Sequence, residues 1–395
     1  MKRVCCKLFK NFDGPTIELD DIKIINSFLS GSGSMAISNN GSILEEELGN
    51  YLGIENIFLF SHGRSAFSAI LKALKLRPGD EIILPGYTCV VVPNSIIFEG
   101  LKPVYCDIEL ETFGPDVDSV RKVVTPRTKA IVIHHLYGLV CKYYEELIDF
   151  CNDKNIYLIE DCAQALGAMF KGKMVGQYGT AAFYSMQHSK VISTGNGGIA
   201  ATNDPSLAEQ LHILQKNATY PENSYVKMTL YRMKELYYSN KNTMMGKIYY
   251  KYNRLRKIEF PININQYERK GILPKNYFQR LHNSLAAVGL NQLRKIEKLN
   301  SIRRKSASYW NEWAGNNGIV TPVVIDKSDP VFLRYPLLLN KAEKEMLFRE
   351  VIKESKVGDW MDCYLTSAIP ERQPAHSFLP NATKAINSIV NLPCL

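Results

Sequence analysis

Short apolar, β-rich runs alternate with helical patterns from residue 57 to 215, and no other feature of this sequence limits its fold so severely. Residues 57–60 (IFLF) read as a strand, and 65–76 follow with helical periodicity. Residues 81–84 form the next strand, opened by the turn signal Pro78-Gly79-Asp80. Three further buried strands are expected at 102–107, 129–134 and 156–161, with a helix at 143–151 between the last two. Strands at 181–185 and 198–202 and a helix at 205–215 complete the series. Repeated β–α alternation predicts an α/β fold, with a mostly parallel sheet between layers of helices.

From 220 to 270 the rhythm breaks. This stretch holds nine tyrosines and four methionines, and eleven lysines and arginines against four glutamates. A long helical pattern follows from about 279 to 313, ended by a Gly-Asn turn at 315–318. A strand at 331–339 and a helix at 341–353 suit a smaller α/β unit. The expected division is therefore a large domain at 1–275, containing an arm and the basic insert 220–270. A small C-terminal domain at 276–395 includes the long connecting helix. At 395 residues the chain is long enough for two packed cores.

Composition narrows the class. Charged residues make up 22% and no apolar run reaches membrane-spanning length, so a soluble, cytoplasmic protein is expected. Residues 1–13 lack the apolar core of a secretory signal. Nine scattered cysteines form no C-x-x-C pair, which argues against a disulfide framework and against a zinc site; no metal is expected. The net charge of +9 favours an anionic partner without saying which. No recognition motif accompanies it, so nucleic acid is not expected. The insert shows no clean amphipathic repeat, which makes a lid or dimer arm the better reading than a membrane-surface segment.

Three segments bear chemistry. Ser61-His62-Gly63-Arg64-Ser65-Ala66 joins a strand to a helix, where free backbone N–H groups suit a phosphate and Gly63 permits close approach. Asp161 ends an apolar strand, where a carboxylate is costly unless it meets a cation; Gln164 follows closely. Lys190 lies just beyond the strand ending in Ser185, before the glycine-rich turn 194–198, where a desolvated amine can attack a carbonyl. Each has a plainer reading when alone: a capped helix, an Asp capping the next helix, and a loop lysine.

Their combination and order resemble the DegT-type, StrS-like family of nucleotide-sugar aminotransferases. The matching motifs are Pro78-Gly79-Asp80-Glu81, Pro85-Gly86-Tyr87-Thr88, His135-Leu136-Tyr137-Gly138, the run 160–167 (EDCAQALG), and Ser185 through Gly198. The resemblance implies a type I fold binding pyridoxal 5'-phosphate, with Lys190 as the lysine that links covalently to the cofactor. It further implies Asp161 on the pyridinium nitrogen, Gln164 near the phenolic oxygen, and the phosphate on Ser185 and the amides of Gly63, Arg64 and Ser65. A nucleotide sugar, an amino-acid donor and a homodimer with shared active sites are implied as partners. Cys89 stands where the family usually stacks an aromatic residue on the ring, which leaves either Tyr87 as a substitute or a ring held less firmly. Asn196 replaces a usual Glu, the family's Asn-Tyr-Arg motif is unclear near Phe278-Gln279-Arg280, and the insert has no counterpart. A sugar dehydratase on the same fold, or a non-catalytic sensor, are the rivals; the imine lysine counts against both.

Overall fold

The computed structural model describes residues 15–31, 39–241, 268, 271–351 and 379–395. Met1 to Asp13 with Cys5 and Cys6, the second half of the basic insert, and Cys363 lie outside the described residues.

A seven-stranded sheet organises the described residues. Its strands are β1 (Asn56–Phe60), β2 (Glu81–Pro85), β3 (Lys102–Cys106), β4 (Thr128–His134), β5 (Tyr157–Asp161), β8 (Ala181–Ser185) and β9 (Gly198–Thr202). Two short strands, β6 (Met169–Phe170) and β7 (Lys173–Met174), form a hairpin outside it, and β10 (Ser328–Asp329) pairs with β6. The sheet order is β1-β9-β8-β5-β4-β2-β3, and β9 pairs antiparallel with both neighbours. The other pairings are parallel, so six strands point one way and their carboxyl ends share one edge.

Strict alternation along each strand explains why both faces are apolar. Ile57, Leu59, Ile83, Ile131, Ile133 and Leu158 face one helical layer. Phe58, Phe60, Ile82, Leu84, Val132 and Ile159 face the other. The second face is covered by α3 (Gly63–Ala73), α4 (Val91–Phe98) and α7 (Pro205–Asn217), whose Phe67, Ile70, Val92, Ile96 and Leu211 are buried there. Each such side chain stabilises the fold by roughly 1.5–3 kcal/mol. Asp161 and Ser185 carry the parity of this second face, two residues beyond Ile159 and Phe183, and so emerge beneath α3 and α4.

A separate cluster surrounds Trp310, Tyr335, Leu337, Ile389 and Leu392. There β11 (Arg334–Leu338) pairs antiparallel with β12 (Ile389–Pro393), and Trp310 Nε1 donates to the Pro393 carbonyl at 2.9 Å. Residues 279–313, expected to be one helix, divide into Asn283–Leu293 and Ile296–Asn316. The break falls at Arg294 and Lys295, and from there the Lys295 ammonium reaches Asp20 and Asp21 at 3.0 and 2.8 Å. Within the insert, α8 (Asn223–Asn240) buries Val226, Leu230 and Met233 against protein.

Candidate active site

A cavity of about 380 Å³ opens at the carboxyl edge of the sheet, below α3 and α4. It brings together Gly63, Arg64, Cys89, Asp161, Gln164, Ser185 and Lys190, seven residues from four distant parts of the sequence.

One end is built by the start of α3. No side chain caps this helix, and Ala66 N–H already bonds the His62 carbonyl, so the amides of Gly63, Arg64 and Ser65 form its open N-terminus. A Cβ on Gly63 would stand 3.1 Å from Ser185 Cβ and 3.3 Å from the Tyr184 carbonyl, which closes the cradle over the serine. Gly198 is still less replaceable, since its Cβ would lie 2.1 Å from the His62 carbonyl oxygen. The Ser65 hydroxyl donates to the Tyr277 carbonyl, and this fully buried residue is not among those that line the cavity. Arg64 Nε pairs with Glu268 at 2.6 Å. Burial, aided by the Arg64 charge, holds the His62 imidazole well below its usual range and so neutral.

Asp161 and Lys190 occupy the middle. Enclosure pushes the Asp161 carboxyl up to about 6, against the Ala163 N–H that it accepts at 3.0 Å and the charges of Lys190 and His135. Enclosure also lowers the Lys190 ammonium; Cys89 and Asp161 oppose that fall, and Arg334 adds to it. The lysine sits on a loop closed by Met186 N–H to Gly197 O at 2.9 Å and Thr194 N–H to Met186 O at 2.9 Å. An amine with a lowered pKa beside a carboxyl with a raised one is the arrangement expected of a nucleophile and its electrostatic partner.

A polar support lies behind Asp161, on the opposite face of β5. Glu160 accepts from His135 Nε2 at 3.2 Å, from the Tyr144 hydroxyl, and from the amides of Gly176, Tyr178 and Gly179 at 2.6, 3.0 and 2.6 Å. The Cys141 amide donates to His135 Nδ1 at 3.3 Å, which places the imidazole proton on Nε2 toward Glu160. His135, Glu160 and Cys162 offer atoms within 4.8 Å of one another, but these bonds already occupy the carboxylate and both ring nitrogens.

Tyr87 does not serve the cavity. It is fully buried, its hydroxyl lies 2.6 Å from that of Tyr137, and Cys89 takes the wall position instead. Sequence reasoning passed over Arg334 and His134, which also line the cavity. Arg334 had a readable signal: it is the one charged residue in the apolar run 331–339.

A family model described as the DegT/DnrJ/EryC1/StrS aminotransferase family matches residues 16–395. The chain belongs to that family. The GDP-perosamine synthase of Caulobacter vibrioides is 35% identical over 181 residues, 46% of this chain and 48% of that protein. The GDP-perosamine synthase of Vibrio cholerae is 27% identical over 305 residues, 76% of this chain and 70% of that protein. Among solved structures, NtdA of Bacillus subtilis with bound cofactor PMP superposes with a TM-score of 0.71 at 21% identity, over 96% of this chain and 78% of that one. The fold is thus that of the family's aminotransferases, and no helix among the described residues is long and apolar enough to cross a membrane.

Proposed function

We propose that this chain is a cytoplasmic, pyridoxal-phosphate-dependent aminotransferase that moves an amino group, from glutamate, to a keto-sugar carried on a nucleotide. The observation that carries this reading is the convergence of Lys190, Asp161 and the glycine-opened start of α3 on one cavity. The residues fit the cofactor. A Cβ on Gly63 would crowd Ser185, the open helix N-terminus suits a phosphate, and enclosure raises the Asp161 carboxyl.

When bound, the cofactor supplies an electrophilic carbon and an electron sink. The amides of Gly63, Arg64 and Ser65 and the Ser185 hydroxyl would hold its phosphate. Asp161 would keep the ring nitrogen protonated, Gln164 would serve the phenolic oxygen, and Cys89 would stand at the wall beside the ring. Lys190, eased toward its neutral form by the enclosure, takes a proton from the donor's carbon and returns it to the acceptor. Residues 1–275 would form the cofactor domain and 276–395 the small domain, in a homodimer. The names of the two perosamine synthases support a nucleotide-linked sugar as acceptor.

The test is an absorption spectrum of the protein with pyridoxal phosphate, beside Lys190→Ala. A visible imine band in the first, absent from the second and bleached by glutamate, is the expected result. No band in either protein sinks the reading.

A further inference from the structure

The stretch 220–270 breaks the β–α rhythm of the sequence, yet its helix α8 lies against the loop that carries Lys190. Tyr225, Thr229 and Met233 recur every four residues along α8 and so share one side of it. That side meets the glycine-rich turn after the lysine. Asn196 Nδ2 donates to the Tyr225 hydroxyl at 3.0 Å. Gly195, with φ +81°, stands so close that a Cβ would lie 2.5 Å from Thr229 Cγ2 and 3.0 Å from Met233 Sδ.

The turn passes this hold on to the lysine. Thr194 Oγ1 donates to the Asn196 carbonyl at 2.7 Å, and His188 N–H to the Gly195 carbonyl at 3.1 Å. Lys190 N–H then closes a turn onto the Gln187 carbonyl at 2.9 Å. The path from Tyr225 thus runs through the Asn196 side chain, the Gly195 carbonyl and His188 to the lysine. A long, flexible amine loses less freedom on reaching a bound carbonyl when its backbone is already fixed.

Neither Tyr225 nor Asn196 is among the residues that line the cavity, so their influence on a ligand there is indirect. Two routes are open to it. One is the lysine loop. The other is the Arg64–Glu268 ion pair at the start of α3: burial pushes the Tyr225 phenol up, with Arg64 opposing that rise and Glu268 adding to it. The first route is a directed hydrogen bond, whereas the second is a field from two opposite charges that largely cancel at a distance.

We propose that Tyr225 is a positioning residue: through Asn196 it holds the glycine-rich turn, and with it the backbone of Lys190, beside the cavity. This rests on the aminotransferase reading above. The helix α8 serves the covalent link to the cofactor rather than the grip on its phosphate.

Pyridoxal phosphate and pyridoxamine phosphate separate the two routes. Both carry the ring and the phosphate, but only the first has a carbonyl that Lys190 can attack. Calorimetric titration of the cofactor-free full chain reads both ligands. Tyr225→Phe removes one oxygen, and is expected to bind pyridoxal phosphate roughly 3–10 times more weakly with pyridoxamine phosphate unchanged. Asn196→Ala should show the same split, and the double variant should lose no more than either single one. An equal loss for both ligands, which a general loosening or the Arg64 route would give, overturns the proposal. No loss for either ligand, or additive losses in the double variant, overturns it as well. Should one single variant fail to fold, the other decides by the same comparison. Absence of the visible band from wild type loaded with pyridoxal phosphate defeats the aminotransferase reading and the proposal together. A normal wild-type band beside an equal loss defeats the proposal alone, which keeps the two failures apart.

Discussion

Asp161 shows how a single residue can trade stability for chemistry. Its carboxyl is pushed up to about 6 by enclosure, well above the usual aspartate range. A raised carboxyl means that the folded state resists the charged form. The penalty is absent below the unfolded value, grows as pH rises, and is complete above about 6. Asparagine can keep the Ala163 bond through its oxygen and carries no charge. Cofactor-free Asp161→Asn is therefore expected to exceed wild type in stability by about 1–3 kcal/mol at neutral pH, and to match it near pH 4. The same variant should hold pyridoxal phosphate more weakly, since the ring nitrogen loses its counter-charge. Urea denaturation at two pH values reads the first effect, and an absorbance titration reads the second. A variant less stable than wild type at neutral pH would contradict the argument.

At the scale of elements, β5 works as a two-sided bracket. One side presents Asp161 to the cavity; the other fastens Glu160 to His135, Tyr144 and the turn 176–179. Burial pushes the Glu160 carboxyl up, but His135 and the other donors outweigh it and hold the group below its usual range. Its stabilising contribution is thus present above the usual carboxylate pKa and lost as pH falls through the lowered one. Glu160→Gln turns an amide nitrogen on donors that need an acceptor, and should cost about 2–4 kcal/mol in equilibrium unfolding. The start of α3 supplies the companion prediction. Gly198→Ala drives a methyl into the His62 carbonyl and should cost about 1–3 kcal/mol while weakening binding of inorganic phosphate.

These elements differ in how far the sequence declares them. β1, β2, β4 and β5 are nearly continuous apolar runs between turn residues, so their positions could be read directly. The helix break at Lys295 could not, because no glycine or proline marks it in the sequence. The cavity followed the same rule. Gly63, Asp161 and Ser185 stand at strand and helix ends, and Lys190 on the loop just beyond β8, where local pattern points to a site. Arg334 needed the fold, since only the packing of 331–334 against Gly138 carries it into the cavity. Of the two readings open for the ring position, Tyr87 needed the fold as well: proximity in sequence to Cys89 says nothing about which face a side chain takes.

The whole molecule is tied together at the Lys190 loop. Arg303, from the helix Ile296–Asn316, is fully buried and donates to the Val191 carbonyl at 2.7 Å, while Gln292 accepts the Ser193 amide at 3.2 Å. Gln292 also donates to Asp21 at 2.7 Å and to the Thr16 carbonyl at 3.0 Å, so the first helix and the lysine loop share one anchor. Ligand bound at this loop should consequently stabilise the entire chain rather than one segment. By mass action, pyridoxal phosphate at a hundred times its dissociation constant is expected to add about 2.7 kcal/mol. The phosphate cradle and the lysine make separable contributions to that gain. Inorganic phosphate should give a small upward shift in melting temperature, equal in wild type and Lys190→Ala. Pyridoxal phosphate should give a larger shift in wild type, reduced but not abolished in Lys190→Ala, because the cradle at α3 survives the substitution. Equal shifts in both proteins would mean that Lys190 forms no bond to the cofactor. Complete loss in Lys190→Ala would mean that the start of α3 does not hold its phosphate.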